Sequence, residues 1–374
     1  MGKHTPQRRP DLAAPDEPRV KDLGEFGLIA RIAALLPAES GQLLVGIGDD
    51  AGAFLTPEGS CLLLTTDVMV EGVHFRRGWG TWRQLGKKAM MASSSDVAAM
   101  GGRPLWALVS LAVEAHTPLS AVDGIYQGMA DAAQQVGAVI CGGDTVRSPS
   151  GISLGVTVVG ECAAAAPVIR RGAQPGDSIL LTGFVGSARA GLALLEHRGA
   201  AGASAPRRPP ARRAPAASPR PAAPADAIAD WAVDEALKAH LEPMARWQEG
   251  AALAEAGAVN SMIDVSDGLL ADLEHICRAS DVGAELDSQA VPIAECCKVV
   301  AAALGKNALT WAMEGGEDYE LLLTCPPDKV ETARQLVLSV GAVQATVIGS
   351  ITRDKEIRVA RYQRASKPGG YRHF

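Results

Sequence analysis

The chain has 374 residues, 47% apolar, 21% charged and 4% aromatic, a balance that suits a globular protein long enough for two domains. So few aromatic residues leave no stacking surface for single-stranded nucleic acid, and a formal charge of −6 does not attract polyanions, so a bound nucleotide would need cations between protein and phosphate. The seven Cys, at 61, 141, 162, 277, 296, 297 and 325, form no C-x-x-C pair, which argues against a zinc ribbon or thioredoxin-like site and for a reducing, cytoplasmic setting.

Residues 1–20 read as a disordered tail without the apolar core of a signal peptide, and no apolar run reaches the ~20 residues of a membrane span. An amphipathic segment covers 25–36. Apolar runs at 43–47 and 61–64 predict strands that end in Asp49-Asp50 and in Thr65-Thr66-Asp67. Residues 82–100 have helical spacing and stop at Gly101-Gly102. A strand at 105–113 follows. Thr117-Pro118 reads as an N-cap with proline at the first helical position, and Val122, Ile125, Met129, Ala133 and Val136 share one helical face. A short strand at 138–141 ends in Gly142-Gly143-Asp144, and another strand spans 152–159. These elements predict an α/β domain over 21–162.

A second α/β domain over 163–374 is predicted from a strand at 178–181, a helix at 187–197 and helices within 226–256. Its strand-turn-helix at 262–268 carries Asp264-Val265-Ser266-Asp267-Gly268. Leu269, Leu273, Ile276 and Cys277 then share a helical face. A strand at 319–324 follows Gly315-Gly316-Glu317-Asp318. Residues 199–226 break the pattern with seven prolines and five arginines, a composition that predicts a disordered insertion.

The chain lacks a G-x-x-x-x-G-K-[ST] loop and the protein-kinase motifs. After Gly46-Ile47-Gly48 the dinucleotide pattern fails, because Asp49 and Asp50 would repel a pyrophosphate. Instead, Asp49, Asp50, Asp67, Asp144, Asp264 and Asp267 stand at the ends of apolar runs, where α/β folds build ligand sites. Converging carboxylates need cations, and hard oxygen ligands select Mg²⁺ over zinc. Asp96 lies on the apolar side of its helix, where an ionised group needs a metal, Ser93 or a helix end as partner. Gly142-Gly143 and Gly315-Gly316 fit either close phosphate approach or a tight turn. His74 stays open between a structural and a binding role.

In this order the segments Gly46-Ile47-Gly48-Asp49-Asp50, Thr65-Thr66-Asp67, Glu71-Gly72-Val73-His74-Phe75, Ser95-Asp96-Val97-Ala98-Ala99-Met100-Gly101, Gly142-Gly143-Asp144-Thr145, Asp264-Val265-Ser266-Asp267-Gly268 and Gly315-Gly316-Glu317-Asp318-Tyr319 resemble the thiamine-monophosphate kinase family. That family shares a superfamily with aminoimidazole ribonucleotide synthetase and selenophosphate synthetase. The resemblance implies a two-domain synthetase-like α/β (α+β) fold, with an N-terminal mixed-sheet domain forming a homodimer and a C-terminal α/β domain. It implies Mg²⁺-dependent transfer from ATP to thiamine monophosphate. By motif, Asp50, Thr65, Thr66, Asp67, Asp96, Asp144, Asp264 and Asp267 correspond to the metal shell. Gly143, Asp144, Arg170 and Ser266 correspond to ATP contacts, and His74 and Glu317 to substrate contacts. Asp67, Asp96, Asp144, Asp267 and Arg170 would carry the chemistry.

The sequence departs from the family's pattern in three places. The 199–226 insertion is longer than expected, Glu242 replaces a basic residue before Pro243, and Pro368 stands where an aromatic residue is expected, with Tyr371 nearby. A phosphate acceptor is already largely ionised at neutral pH, so direct in-line transfer needs positioning and charge neutralisation more than a strong base. A selenophosphate synthetase would need a reactive Cys near the N-terminus, and none precedes Cys61. A catalytically dead binding protein is opposed by the intact acids. No nucleic-acid or membrane partner is expected.

Overall fold

The computed structural model describes residues 19–36, 41–164, 166–203 and 228–362. Helix α1 (Val20–Leu35) is a unit by itself and is interrupted at Gly24, where φ is 65°. The remaining described residues form two six-stranded mixed sheets with nine further α-helices. No described helix is long and apolar enough to cross a membrane.

The first sheet uses β1 (Leu43–Val45), β2 (Gly52–Leu55) and β3 (Cys61–Val70), followed by helix α2 (Trp82–Ala99), β4 (Gly102–Val113), helix α3 (Leu119–Val136), β5 (Val139–Arg147) and β6 (Ser153–Cys162). Its order is β1-β2-β3-β6-β4-β5, and only β4 and β5 run parallel. Along β3, Cys61, Leu63, Thr65 and Met69 are buried while Leu64, Thr66, Val68 and Val70 are exposed, the two-residue period of a half-covered strand. Helix α2 covers the inner face and packs against α3. A reciprocal capping box starts it: Gln84 N–H donates to Thr81 Oγ1 and Thr81 N–H donates to Gln84 Oε1.

Three expectations change in this half. Helix α3 begins after Pro118, which is itself the N-cap, and Thr117 makes no cap; its buried Oγ1 has no hydrogen-bond partner. Both β3 and β5 run on through their acidic motifs, so Asp67 and Asp144 sit inside strands rather than at strand ends. Pairing with neighbouring strands, a long-range property, continues these strands past the local turn signals of Thr-Thr-Asp and Gly-Gly-Asp.

The second half contains β7 (Ser178–Thr182), α4 (Ser187–Ala203), α5 (Asp230–Leu241), α6 (Trp247–Glu255), β8 (Ser261–Asp264), α7 (Leu269–Ser280), β9 (Gly283–Asp287), α8 (Glu295–Ala303), α9 (Ala308–Glu314), β10 (Leu321–Cys325), α10 (Val330–Gly341), β11 (Ala345–Thr352) and β12 (Ile357–Ala360). The sheet order is β12-β9-β11-β7-β10-β8. Both faces of this sheet are covered. Ile179 and Leu181 pack with Leu269, Leu273 and Ile276 of α7, while Leu180 packs with Leu253 of α6 and Val337 of α10. Helix α2 also contacts α6 and β8, so one helix serves both sheets. Residues 199–203 extend α4. The rest of the predicted insertion, residues 1–18 of the tail, and Pro368 and Tyr371 lie outside the described residues.

Candidate active site

The acids converge under the first sheet. Thr65 and Asp67 come from β3, Asp96 from α2, Asp49 and Asp50 from the loop after β1, and Asp264 from the last position of β8. One carboxylate oxygen each from Asp50, Asp96 and Asp264 lies within 4.8 Å of the others. Thr65 Oγ1 donates a 2.5 Å hydrogen bond to Asp96 Oδ2, Ser95 Oγ donates at 2.6 Å to Asp264 Oδ2, and Ser93 Oγ donates at 3.1 Å to Val156 O of β6. Asp96 thus bonds Thr65 of the neighbouring strand rather than Ser93.

Burial dominates the electrostatics. It raises Asp50, Asp67, Asp96 and Asp264 above the usual carboxylate range, and for Asp96 the charges of Asp67, Asp264 and Asp50 add to it. Asp264 reaches about 7 and Asp49 about 6. Arg170 is the compensating cation. Its guanidinium bonds Asp50 Oδ1 at 2.5 and 3.2 Å, and its backbone N–H donates to Asp49. Asp50 Oδ2 and Asp264 Oδ1 are buried without any hydrogen-bond partner. Orphaned carboxylate oxygens are costly, and a set of hard oxygen donors fits a divalent cation such as Mg²⁺.

The remaining motif residues are distributed around this cluster. Ser266 and Asp267 form the turn between β8 and α7. Ser266 O accepts a 2.8 Å hydrogen bond from Glu317 N–H, and a Cβ on Gly316 would stand 2.1 Å from Ser266 O, so only glycine lets the two turns meet. Thr66 and Asp144 do not join the cluster. Asp67, Val156, Val109 and Gly143 form one row across four strands, which puts β5 roughly 14 Å from β3. Asp144 follows Gly143 and is exposed on the opposite face, like Thr66. Gly143 is required by packing, since a Cβ there would lie 1.9 Å from Val109 O.

The two candidate substrate residues are linked through Lys88 and His240, which stand outside every motif named above. His74 Nδ1 accepts a 2.9 Å hydrogen bond from Val70 N–H, and His74 lines a cleft with Phe75, Trp79, Trp82, Lys88 and His240. Glu317 lies 2.7 Å from Lys88 Nζ and 3.2 Å from His240 Nδ1. Burial alone would push the Glu317 carboxyl up, but Lys88 and then His240 hold it down at about 2. Burial, with Lys88 beside it, lowers His240. Lys88 was detectable from sequence: it falls on the buried side of α2 with Leu85 and Ala92, by the same periodicity that picks out Asp96. Glu242, the departure from the expected basic residue, accepts hydrogen bonds from Gln84 and Lys87 of α2.

The model of the AIR synthase related protein N-terminal domain matches residues 48–162, and that of the C-terminal domain matches 174–361. The thiamine-monophosphate kinase of Mycobacterium tuberculosis is 33% identical over 310 residues, covering 83% of each chain. That of Escherichia coli K12 is 34% identical over 339 residues, covering 89% of this chain and 92% of its own. A solved structure of AaThiL complexed with AMPPCP and TMP superposes with a TM-score of 0.78 at 32% identity, covering 96% of this chain and all (100%) of the other. The hydrogenase maturation protein HypE of E. coli, at 19% identity and a TM-score of 0.62, shares the fold alone. With both halves of the fold matched and a third of the residues shared across most of its length, the chain belongs to the thiamine-monophosphate kinase family of AIR synthase related proteins.

Proposed function

We propose that this chain transfers the γ-phosphoryl group of ATP to thiamine monophosphate, giving thiamine diphosphate and ADP by direct in-line transfer. The observation that carries the reading is the buried Asp50–Asp96–Asp264 cluster with two orphaned oxygens, in a chain similar to a structure complexed with AMPPCP and TMP. Asp50, Asp67, Asp96 and Asp264 would hold Mg²⁺, with Thr65 orienting Asp96 and Ser95 orienting Asp264. Bound Mg²⁺ would neutralise the phosphates and align them. Arg170, beside Asp50, supplies the adjacent positive charge for the transferring group. Ser266 and Asp267, on the turn against Glu317, place nucleotide and substrate contacts side by side. The acceptor phosphate carries its own nucleophilic oxygen, so these residues position rather than deprotonate.

The reading includes two domains, 21–162 and 163–374, and a homodimer formed through the first sheet. Leu64, Val68, Trp106, Leu108 and Val146 are between 43% and 51% exposed on strands of that sheet, an apolar surface that a second copy would cover. Incubation with ATP, Mg²⁺ and thiamine monophosphate should yield thiamine diphosphate, with free thiamine turned over more slowly. Folded protein that phosphorylates neither, or prefers thiamine, rejects the proposal.

A further inference from the structure

Lys88 is only 3% exposed in the body of α2, and His240 is 2% exposed at the end of α5. An ammonium this deep is costly unless paired. Its nearest anionic partner is Glu317 Oε1 at 2.7 Å, but the contact is not aligned as a hydrogen bond, and Lys88 Nζ has no hydrogen-bond acceptor among the described residues. His240 Nδ1 lies 3.2 Å from the other oxygen, Oε2, also out of line. Two helices therefore grip the two oxygens of one carboxylate. The backbone of Glu317 is itself left-handed, with φ of 66°, a conformation that persists only where surroundings over-determine it.

The grip is part of the cleft wall. Lys88 and His240 line the cleft that contains His74, and the Trp79 ring stands edge-on to His240 at 6.3 Å. Trp79 and Trp82 add aromatic surface to the cleft, and the Arg76 guanidinium lies over the Trp79 ring at 5.3 Å, the contact that a positively charged heterocycle would make in its place. An ion pair serving stability alone would need neither two basic partners on one carboxylate nor a place between two substrate-contact candidates.

We propose that Lys88 and His240 are positioning residues for substrate recognition, holding Glu317 as a fixed anionic acceptor beside the cleft that takes the cationic thiamine moiety. The inference rests on the reading of His74 and Glu317 as thiamine-monophosphate contacts. It makes the specificity of the site a property of α2 and α5 as well as of the turn that carries Glu317.

The test is a double-mutant cycle on the full chain with Lys88→Met, Glu317→Gln and their combination, beside Lys88→Arg and His240→Ala. Glu317→Gln should raise the KM for thiamine monophosphate; if it does not, the parent reading of Glu317 fails. Given that rise, Lys88→Met should raise the same KM by ~tenfold, with the KM for ATP changed less than about twofold. Lys88→Arg should recover part of the loss, and His240→Ala should shift the KM in the same direction. The combined variant should match Glu317→Gln alone, because Lys88 acts through that carboxylate. It also leaves no stranded charge, so it carries the test if Lys88→Met fails to fold. An unchanged KM in Lys88→Met, parallel losses for ATP, or additive effects in the combined variant would overturn the proposal.

Discussion

Ser95 Oγ donates a 2.6 Å hydrogen bond to Asp264 Oδ2, tying the helix beneath the first sheet to an edge strand of the second. Ser95 is fully buried and Asp264 almost so, and the second oxygen of Asp264 has no hydrogen-bond partner. The bond fixes which oxygen faces the cluster. Ser95→Ala should keep the fold, since alanine fits a helix interior, yet weaken Mg²⁺ dependence about 10- to 100-fold, as losses of ligand-orienting groups do. Turnover measured against Mg²⁺ at saturating ATP checks this. An unchanged Mg²⁺ curve would make the hydrogen bond purely structural.

Asp96→Asn and Asp67→Asn should each abolish most turnover while the protein stays folded. Both carboxyls are raised by burial, so neutralising them relieves repulsion without metal; stability of the cation-free protein does not separate a ligand from a structural acid. The gain in thermal stability from saturating Mg²⁺ plus an ATP analogue does. Wild type should gain through linkage and the Asn variants much less. Equal gains with normal turnover would remove both residues from the metal site.

Arg170 stands against Asp50 and Asp49, and Asp50 is 1% exposed at its side chain. Arg170→Gln should destabilise the cation-free protein by ~3 kcal/mol, the cost of stranding a buried charge. Mg²⁺ should recover part of that loss, because it offsets the same carboxylates. Urea unfolding with EDTA and with Mg²⁺ measures both. A loss that Mg²⁺ leaves untouched would separate Arg170 from the cluster.

Asp318 gives a pH signature of its own. Its carboxylate accepts hydrogen bonds from Gly186 N–H at 2.6 Å and Ala188 N–H at 3.0 Å, and burial raises it from an ordinary 3.8 to about 7. A carboxyl raised in the folded state holds a proton that the unfolded chain has released, so it costs stability as pH climbs between those values. Asp318→Asn removes that cost. The variant should therefore gain on wild type between about pH 4 and pH 7, with the Tm difference moving by roughly 2–4 °C for each kcal/mol. A difference independent of pH would show that the carboxyl keeps an ordinary pKa.

The clustered acids were legible because a carboxylate beside an apolar run is a local anomaly. Asp50, Asp96 and Asp264 needed no tertiary information to be singled out, and the helical periods placed α2 and the buried face of α7. The facing of Thr66 and Asp144 was not legible. It depends on β3 and β5 continuing through motifs that read locally as turns, and on a bulge near Ala107 and Leu108 that sets the β4–β5 register. The Lys88–Glu317 contact spans α2 and the turn before β10, so periodicity could flag the buried lysine but could not name its partner.

Asp144 supplies the last test, because its motif and its position disagree within one chain. It lies on the opposite face from Asp67, with β5 three strands from β3, and its carboxylate accepts only a local hydrogen bond from Thr145 N–H among those described. A homodimer in which each copy reaches the other's cluster would let Asp144 act from the second copy. Asp96→Asn and Asp144→Asn should each be inactive as homodimers. Unfolded together and refolded at equal amounts, they would form heterodimers in which one site draws both intact acids and the other neither. Random pairing makes about half the dimers mixed, each with one working site of two, so about a quarter of wild-type activity should return. No recovery, with mixed dimers confirmed by mass, would place Asp144 in the site of its own chain or outside catalysis. A monomer at working concentration would reject the shared site outright.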